Sequence, residues 1–127
     1  MGEISTVAKD PFLVSKETAE HYTWGKECEA WHLVKNAQLS VIEEVVPPGI
    51  SEVRHYHNRA QQFFYMLAGE AAMEVGGKEI RMRTGEGLHI EPGVAHRITN
   101  RSDNMIRFLV ISQPESHGDR TLVSETE

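Results

Sequence analysis

Residues 49–69 read GISEVRHYHNRAQQFFYMLAG: two histidines one residue apart, a short polar turn, then a run of β-formers. On a strand, side chains at i and i+2 share a face, so His55 and His57 point the same way with Cα atoms roughly 6.5–7 Å apart. An imidazole nitrogen binds Zn²⁺ at about 2.0–2.1 Å, so two rings leaning together can share one ion. Asn58, Arg59 and Ala60 suit a tight turn, and residues 61–67 then run back beside the first strand. Alternation puts Gln62, Phe64 and Met66 on one face and Gln61, Phe63 and Tyr65 on the other. If the first face is the inward one, Gln62 brings its amide oxygen to the same ion.

Working outward, turn chemistry recurs from about Leu39 onward, at Pro47-Pro48-Gly49, Gly69-Glu70, Gly76-Gly77, Thr84-Gly85-Glu86, Pro92-Gly93 and Ser102-Asp103-Asn104. The segments between are short and alternate in polarity. Ala71, Met73 and Val75 share a face, and Ile80 and Met82 oppose Glu79, Arg81 and Arg83. Closely spaced short strands of this kind predict an all-β sandwich or barrel. In residues 85–100, GEGLHIEPGVAHRITN, a turn at Pro92-Gly93 precedes a strand that opens with His96 and carries Ile98 and Asn100 on its face. His96 is the fourth candidate ligand. Neutral imidazole suits Zn, Fe, Ni and Cu.

The ends are less patterned. Ser15 can cap one or two helical turns over residues 15–22, and residues 30–34 predict an early strand with Trp24 and Trp31 as core aromatics. Residues 114–127 are polar and read as a mobile tail or as an arm that packs on a partner subunit.

The chain has 127 residues, enough for one core, and is 39% hydrophobic and 25% charged, which predicts one soluble globular domain. No apolar run approaches the roughly 18 residues of a membrane span. Residues 1–9 carry no secretory pattern, and the lone Cys28 can form no intrachain disulfide, so a cytoplasmic protein is expected. The formal net charge of −6 argues against nucleic acid, because phosphate binding needs clustered cations. The nearest candidates, Lys78, Arg81 and Arg83, are spread along one strand with Glu79 among them.

The two histidine stretches resemble the motifs of the cupin superfamily. The first motif runs Gly, five residues, His-x-His, three or four residues, Glu, six residues, Gly, and is met by Gly49, His55, His57, position 62 and Gly69. The second runs Gly, five residues, Pro-x-Gly, two residues, His, three residues, Asn. It is met by Gly85, Gly93, His96 and Asn100, with Glu91 in place of the first Pro. The resemblance implies a double-stranded β-helix, the cupin jelly-roll barrel of two antiparallel sheets. Its core is expected at about residues 30–113, after an N-terminal extension over 1–25 and before a polar tail over 114–127. It also implies a divalent transition metal (Zn, Ni, Mn or Fe) on His55, His57, Gln62 and His96. Where most metal-binding cupins carry Glu, this chain has Gln62. A neutral amide leaves the ion its full charge, and phosphomannose isomerase-type cupins also use a Gln ligand.

Phe64, Met66, Ile98, Phe108 and Val110 either line a binding pocket or fill the barrel, as side chains often do in eight-stranded interiors. For His89, alternation does not settle whether it joins the pocket. Glu43, Glu44 and Glu91 are the carboxylates nearest the expected wall, and no catalytic residue is assigned. His21, His32 and His117 are read as surface or hydrogen-bonded structural residues. A small-molecule ligand is expected, of sugar or keto/carboxylic-acid type, together with a homodimer that uses residues 24–34. Three functions fit: Lewis-acid isomerase or epimerase-like chemistry, a non-catalytic binding module, or an Fe-dependent dioxygenase.

Overall fold

The computed structural model describes residues 11–124, and the expectations for residues 1–9 and for the last residues of the tail lie outside that range. Eleven strands run along the described chain: β1 (Glu20–Trp24), β2 (Cys28–Lys35), β3 (Ser40–Val46), β4 (His55–His57), β5 (Gln61–Ala68), β6 (Ala71–Val75), β7 (Lys78–Met82), β8 (Gly87–Ile90), β9 (His96–Thr99), β10 (Ile106–Gln113) and β11 (Arg120–Leu122). They form two antiparallel sheets, one in the order β1-β2-β3-β10-β5-β8 and the other β11-β4-β9-β6-β7. This is the all-β double-stranded β-helix expected above. Among the described residues no helix is long and apolar enough to cross a membrane.

Period-two patterning sorts the side chains. On β5, Gln62, Phe64 and Met66 are buried while Phe63 and Tyr65 remain exposed, and on β10 Ile106, Phe108, Val110 and Ser112 all turn inward. These rows meet Val46, Met73 and Ile98 in one apolar core between the sheets. Burying such side chains contributes roughly 1.5–3 kcal/mol each relative to exposure.

The turn residues of the two motifs close this frame. Gly69, between β5 and β6, sits at φ +87°, and a Cβ there would lie 2.9 Å from Ile106 Cγ2 and 3.1 Å from the Met105 carbonyl. Only glycine fits both the dihedral and the approach. Asn100 is fully buried and donates its amide to the Val46 and Asn104 carbonyls at 3.0 and 2.7 Å, which ties the end of β9 to β3 and to the following turn. Gly93 N donates to the His57 carbonyl at 2.7 Å, so the Pro92-Gly93 turn is fastened directly to the histidine strand.

Both ends differ from expectation. At the N-terminal side the helical reading of residues 15–22 shrinks to a single turn, in which the Ser15 carbonyl accepts from Thr18 N and Ala19 N at 3.1 and 2.8 Å. From Glu20 the chain alternates instead, Tyr22 and Trp24 half-buried and His21 and Thr23 exposed, and β1 pairs with β2 of its own chain. At the C-terminal side, residues 120–122 form β11 against β4, with Thr121 facing Tyr56 in register. The anchor is the buried Asp119, whose Oδ2 accepts from Arg59 N and Ala60 N at 2.8 and 2.9 Å. A polar segment can therefore join the fold through hydrogen bonds rather than apolar burial.

Candidate metal centre and cavity

Sheet register brings the candidate ligands together. His55 faces His96 across β4 and β9, and Gln62 faces Ser112 across β5 and β10. The imidazole centroids of His55 and His96 are 4.6 Å apart, those of His55 and His57 5.0 Å, and those of His57 and His96 5.9 Å. One ligand atom from each ring lies within 4.8 Å of the others. All three histidines and Gln62 are buried.

Hydrogen bonds select the ring tautomers. His55 Nδ1 donates to the Val53 carbonyl at 2.8 Å and His96 Nδ1 to the Val94 carbonyl at 2.9 Å, which leaves Nε2 of each ring with a free lone pair. Burial drives His55 down to about 3, against the pull of the Val53 carbonyl and with His96, Arg120 and His57 adding to it. His57 falls to about 4, again through burial first and His96 next, and His96 is lowered by burial. Near pH 7 these rings are neutral, the form that ligates metal. The Asp119 charge and main chain favour the His57 proton, while the buried His57 Nδ1 has no hydrogen-bond partner among the described residues.

The fit of a cation rests on Gln62. Its Nε2 donates to Ser112 Oγ at 3.0 Å, while its Oε1 lies 3.0 Å from His96 Nε2. The His96 ring is neutral with its proton on Nδ1, so two lone pairs face each other across that gap. They repel unless a cation accepts both or the amide turns over, and the Ser112 hydroxyl can accept or donate in either case. Two donors about 2.1 Å from one ion at right angles are themselves about 3.0 Å apart, so the donor set suits a divalent transition metal.

His55, His57 and Gln62 open onto a cavity of about 540 Å³ that also exposes Val110, Glu44, Glu52 and Arg120, while His96 is buried behind them. Glu44 projects inward from β3, while its neighbour Glu43 lies on the other face, paired with Lys16 at 2.9 Å and Arg107 at 3.2 Å. Burial and then the Glu52 charge push the Glu44 carboxyl up to about 8. The Trp24 indole N–H lies close enough to oppose that rise but outside hydrogen-bonding geometry. Glu52 rises to about 7 through burial, although its Oε1 accepts from Ile98 N at 3.1 Å. Both carboxyls therefore hold protons far closer to neutrality than a free side chain does.

Of the expected pocket residues, Val110 lines the cavity. Phe64, Met66, Ile98 and Phe108 fill the core instead, with Phe64 edge-on to His96 at 5.9 Å. His89 lies outside, because β8 pairs with β5 so that His89 faces Phe63 in the outward row while Ile90 faces Gln62. Its Nε2 meets Gln61 Oε1 at 2.8 Å, and Glu91 beside it is exposed. Sequence reasoning missed Glu52, Arg120, Ser112 and Asp119. Ser112 alone had a readable signal, two residues beyond Val110 on an alternating strand.

The family profile Cupin_2, described as "Cupin domain", matches residues 42–112, which contain all four candidate ligands. An uncharacterized protein of Methanocaldococcus jannaschii is 26% identical over 93 residues, covering 72% of this chain and 74% of its own. The oxalate-binding protein of Thermotoga maritima is 29% identical over 66 residues, 52% of this chain and 54% of that one. Thus the chain spans only about half of this second relative's length. Among solved structures, KdgF from Halomonas superposes with a TM-score of 0.75 at 15% identity, covering 84% of this chain and 96% of that one. That likeness is one of fold. With motif glycines, histidines and Asn100 placed by two facing antiparallel sheets, and with the family profile matched over more than half its length, this chain belongs to the cupin family.

Proposed function

We propose that this cupin holds a divalent transition metal on His55, His57, Gln62 and His96 and rearranges a small polar molecule, of sugar or keto/carboxylic-acid type, by isomerase- or epimerase-like chemistry. The observation that carries the reading is the convergence of neutral histidine lone pairs and the Gln62 amide oxygen, at a spacing that suits one cation. A metal held there supplies Lewis-acid polarisation of a carbonyl or hydroxyl oxygen.

The chain's own contribution is proton transfer. An isomerase must take a proton from carbon beside a carbonyl and return one at the neighbouring position. Glu44 and Glu52 share the cavity with His55 and His57, and their raised proton affinities leave one carboxylate and one carboxylic acid available near neutral pH. Ionised Glu52 accepts the proton at a carboxylate oxygen and protonated Glu44 donates one. Tyr22 stays protonated beside them, raised to about 12 by burial and by Glu44 and Glu20, and offers a hydroxyl donor. The homodimer expected through residues 24–34 belongs to the same reading, and light scattering on the eluting peak tests it.

The test is metal content by plasma mass spectrometry on untagged protein, beside a His55→Ala/His57→Ala double variant. Near-stoichiometric metal in the wild type and none in the variant is expected. Equal emptiness of both after metals are added back would overturn the reading. Iron as the native metal would move the reading toward oxygen chemistry.

A further inference from the structure

The cavity contains one cation with no ion-pair or hydrogen-bond partner among the described residues, and it comes from the segment that looked least informative. Arg120 opens β11, directly opposite His57 of β4 in register. Residues opposite each other in an antiparallel pair project to the same face, with Cβ atoms roughly 4.5–5.5 Å apart. The guanidinium is thereby aimed to the side on which His57 faces the cavity, and it lines that cavity with His55, His57 and Gln62. Its position is fixed by the preceding residue, since the Asp119 carboxylate is committed to Arg59 N and Ala60 N.

None of the surrounding acids closes an ion pair with Arg120 among the described residues. Asp119 is occupied, as above. Glu20 pairs with Lys35 at 3.3 Å, and Glu115 lines the cavity but makes no ion pair with Arg120. Glu44 and Glu52 feel the Arg120 charge, yet neither closes an ion pair with it, and Glu44 retains its proton near neutral pH. A protonated carboxyl repels no anion and can donate a hydrogen bond to one.

We propose that Arg120 is the anion anchor of this cavity, so that its ligand is a small molecule bearing a carboxylate beside the oxygen that meets the histidines. The proposal rests on the metal-centre reading above and narrows it to α-keto acids, α-hydroxy acids and short dicarboxylates. Guanidinium is matched to such groups because it offers two parallel N–H donors to the two carboxylate oxygens.

Oxalate is the simplest probe, with two oxygens for the metal and two left to meet Arg120. Its affinity is measured by calorimetry on metal-loaded wild type, Arg120→Gln and Arg120→Lys, with metal affinity of each followed by chelator competition. Oxalate affinity is expected to fall about 10–100-fold in Arg120→Gln and to recover in part in Arg120→Lys, while metal affinity stays within about twofold. Arg120 is exposed, so both variants should fold, and matching melting curves check this. Equal oxalate affinity in the metal-loaded wild type and Arg120→Gln overturns the proposal, as does failure of the wild type to bind oxalate. If the wild type takes up no metal, the metal-centre reading falls, and the same oxalate comparison on metal-free protein still decides the role of Arg120.

Discussion

Replacing Glu44 with Gln should stabilise the protein above neutral pH and leave it nearly unchanged in acid. The Glu44 carboxyl titrates at about 8 in the folded protein, against an ordinary value of 4.5, because burial and the Glu52 charge oppose its ionisation. Between those values the folded protein keeps a proton that the unfolded chain has released. The stabilisation is therefore complete below the unfolded value of 4.5 and is lost as pH rises through the folded value of about 8. At about 1.4 kcal/mol per pH unit, this displacement sets a ceiling of about 5 kcal/mol. Glu44 borders a cavity that admits water, and Glu52 shares the cost of ionisation, so about 1–3 kcal/mol is the expected difference. The assay is urea unfolding of metal-free wild type and Glu44→Gln from about pH 5 to pH 9. The two stability curves should coincide at the acid end and separate steadily, with the variant more stable at the alkaline end. Parallel curves would refute the reasoning. A variant less stable at every pH would show that Glu44 is an ionised, paired carboxylate.

Three further outcomes follow from the geometry. Ser112→Ala removes the hydroxyl that holds the Gln62 amide, and should weaken metal binding about 10–100-fold in a chelator competition while costing about 1 kcal/mol of stability. Gly69→Ala must place a Cβ against Ile106 at φ +87° and should cost about 1–3 kcal/mol in urea unfolding. Asp119→Asn weakens the bonds from Arg59 N and Ala60 N and should cost about 1–2 kcal/mol at neutral pH. Burial pushes the Asp119 carboxyl up, but those bonds outweigh it and hold it below its ordinary 3.8, so its contribution is present above 3.8 and lost as pH falls further. The gap between Asp119→Asn and wild type should therefore close in strong acid.

Local alternation was enough to put His55 with His57 and Gln62 with Phe64 and Met66, because a strand's period of two is a property of its own backbone. Turn chemistry likewise marked Gly69 and Gly93, whose positive φ few other residues tolerate. His96 came from motif spacing, since nothing local to it names its partners. Alternation says which residues share a face but not which face is enclosed. Glu43 and Glu44 show the limit: adjacent and chemically identical, one meets Lys16 and Arg107 outside and the other enters the cavity. His89 fell on the outward row for the same reason, through its register with Phe63. Ser112 meets Gln62, and Arg120 meets His57, only because strands distant in sequence pair in one register. The C-terminal strand carries no apolar periodicity, since hydrogen bonds to Asp119 and to β4 hold it. Sequence alone therefore determined the barrel and its histidines. Long-range register, set by closure of two sheets over a shared core, decided which acids and which arginine face them.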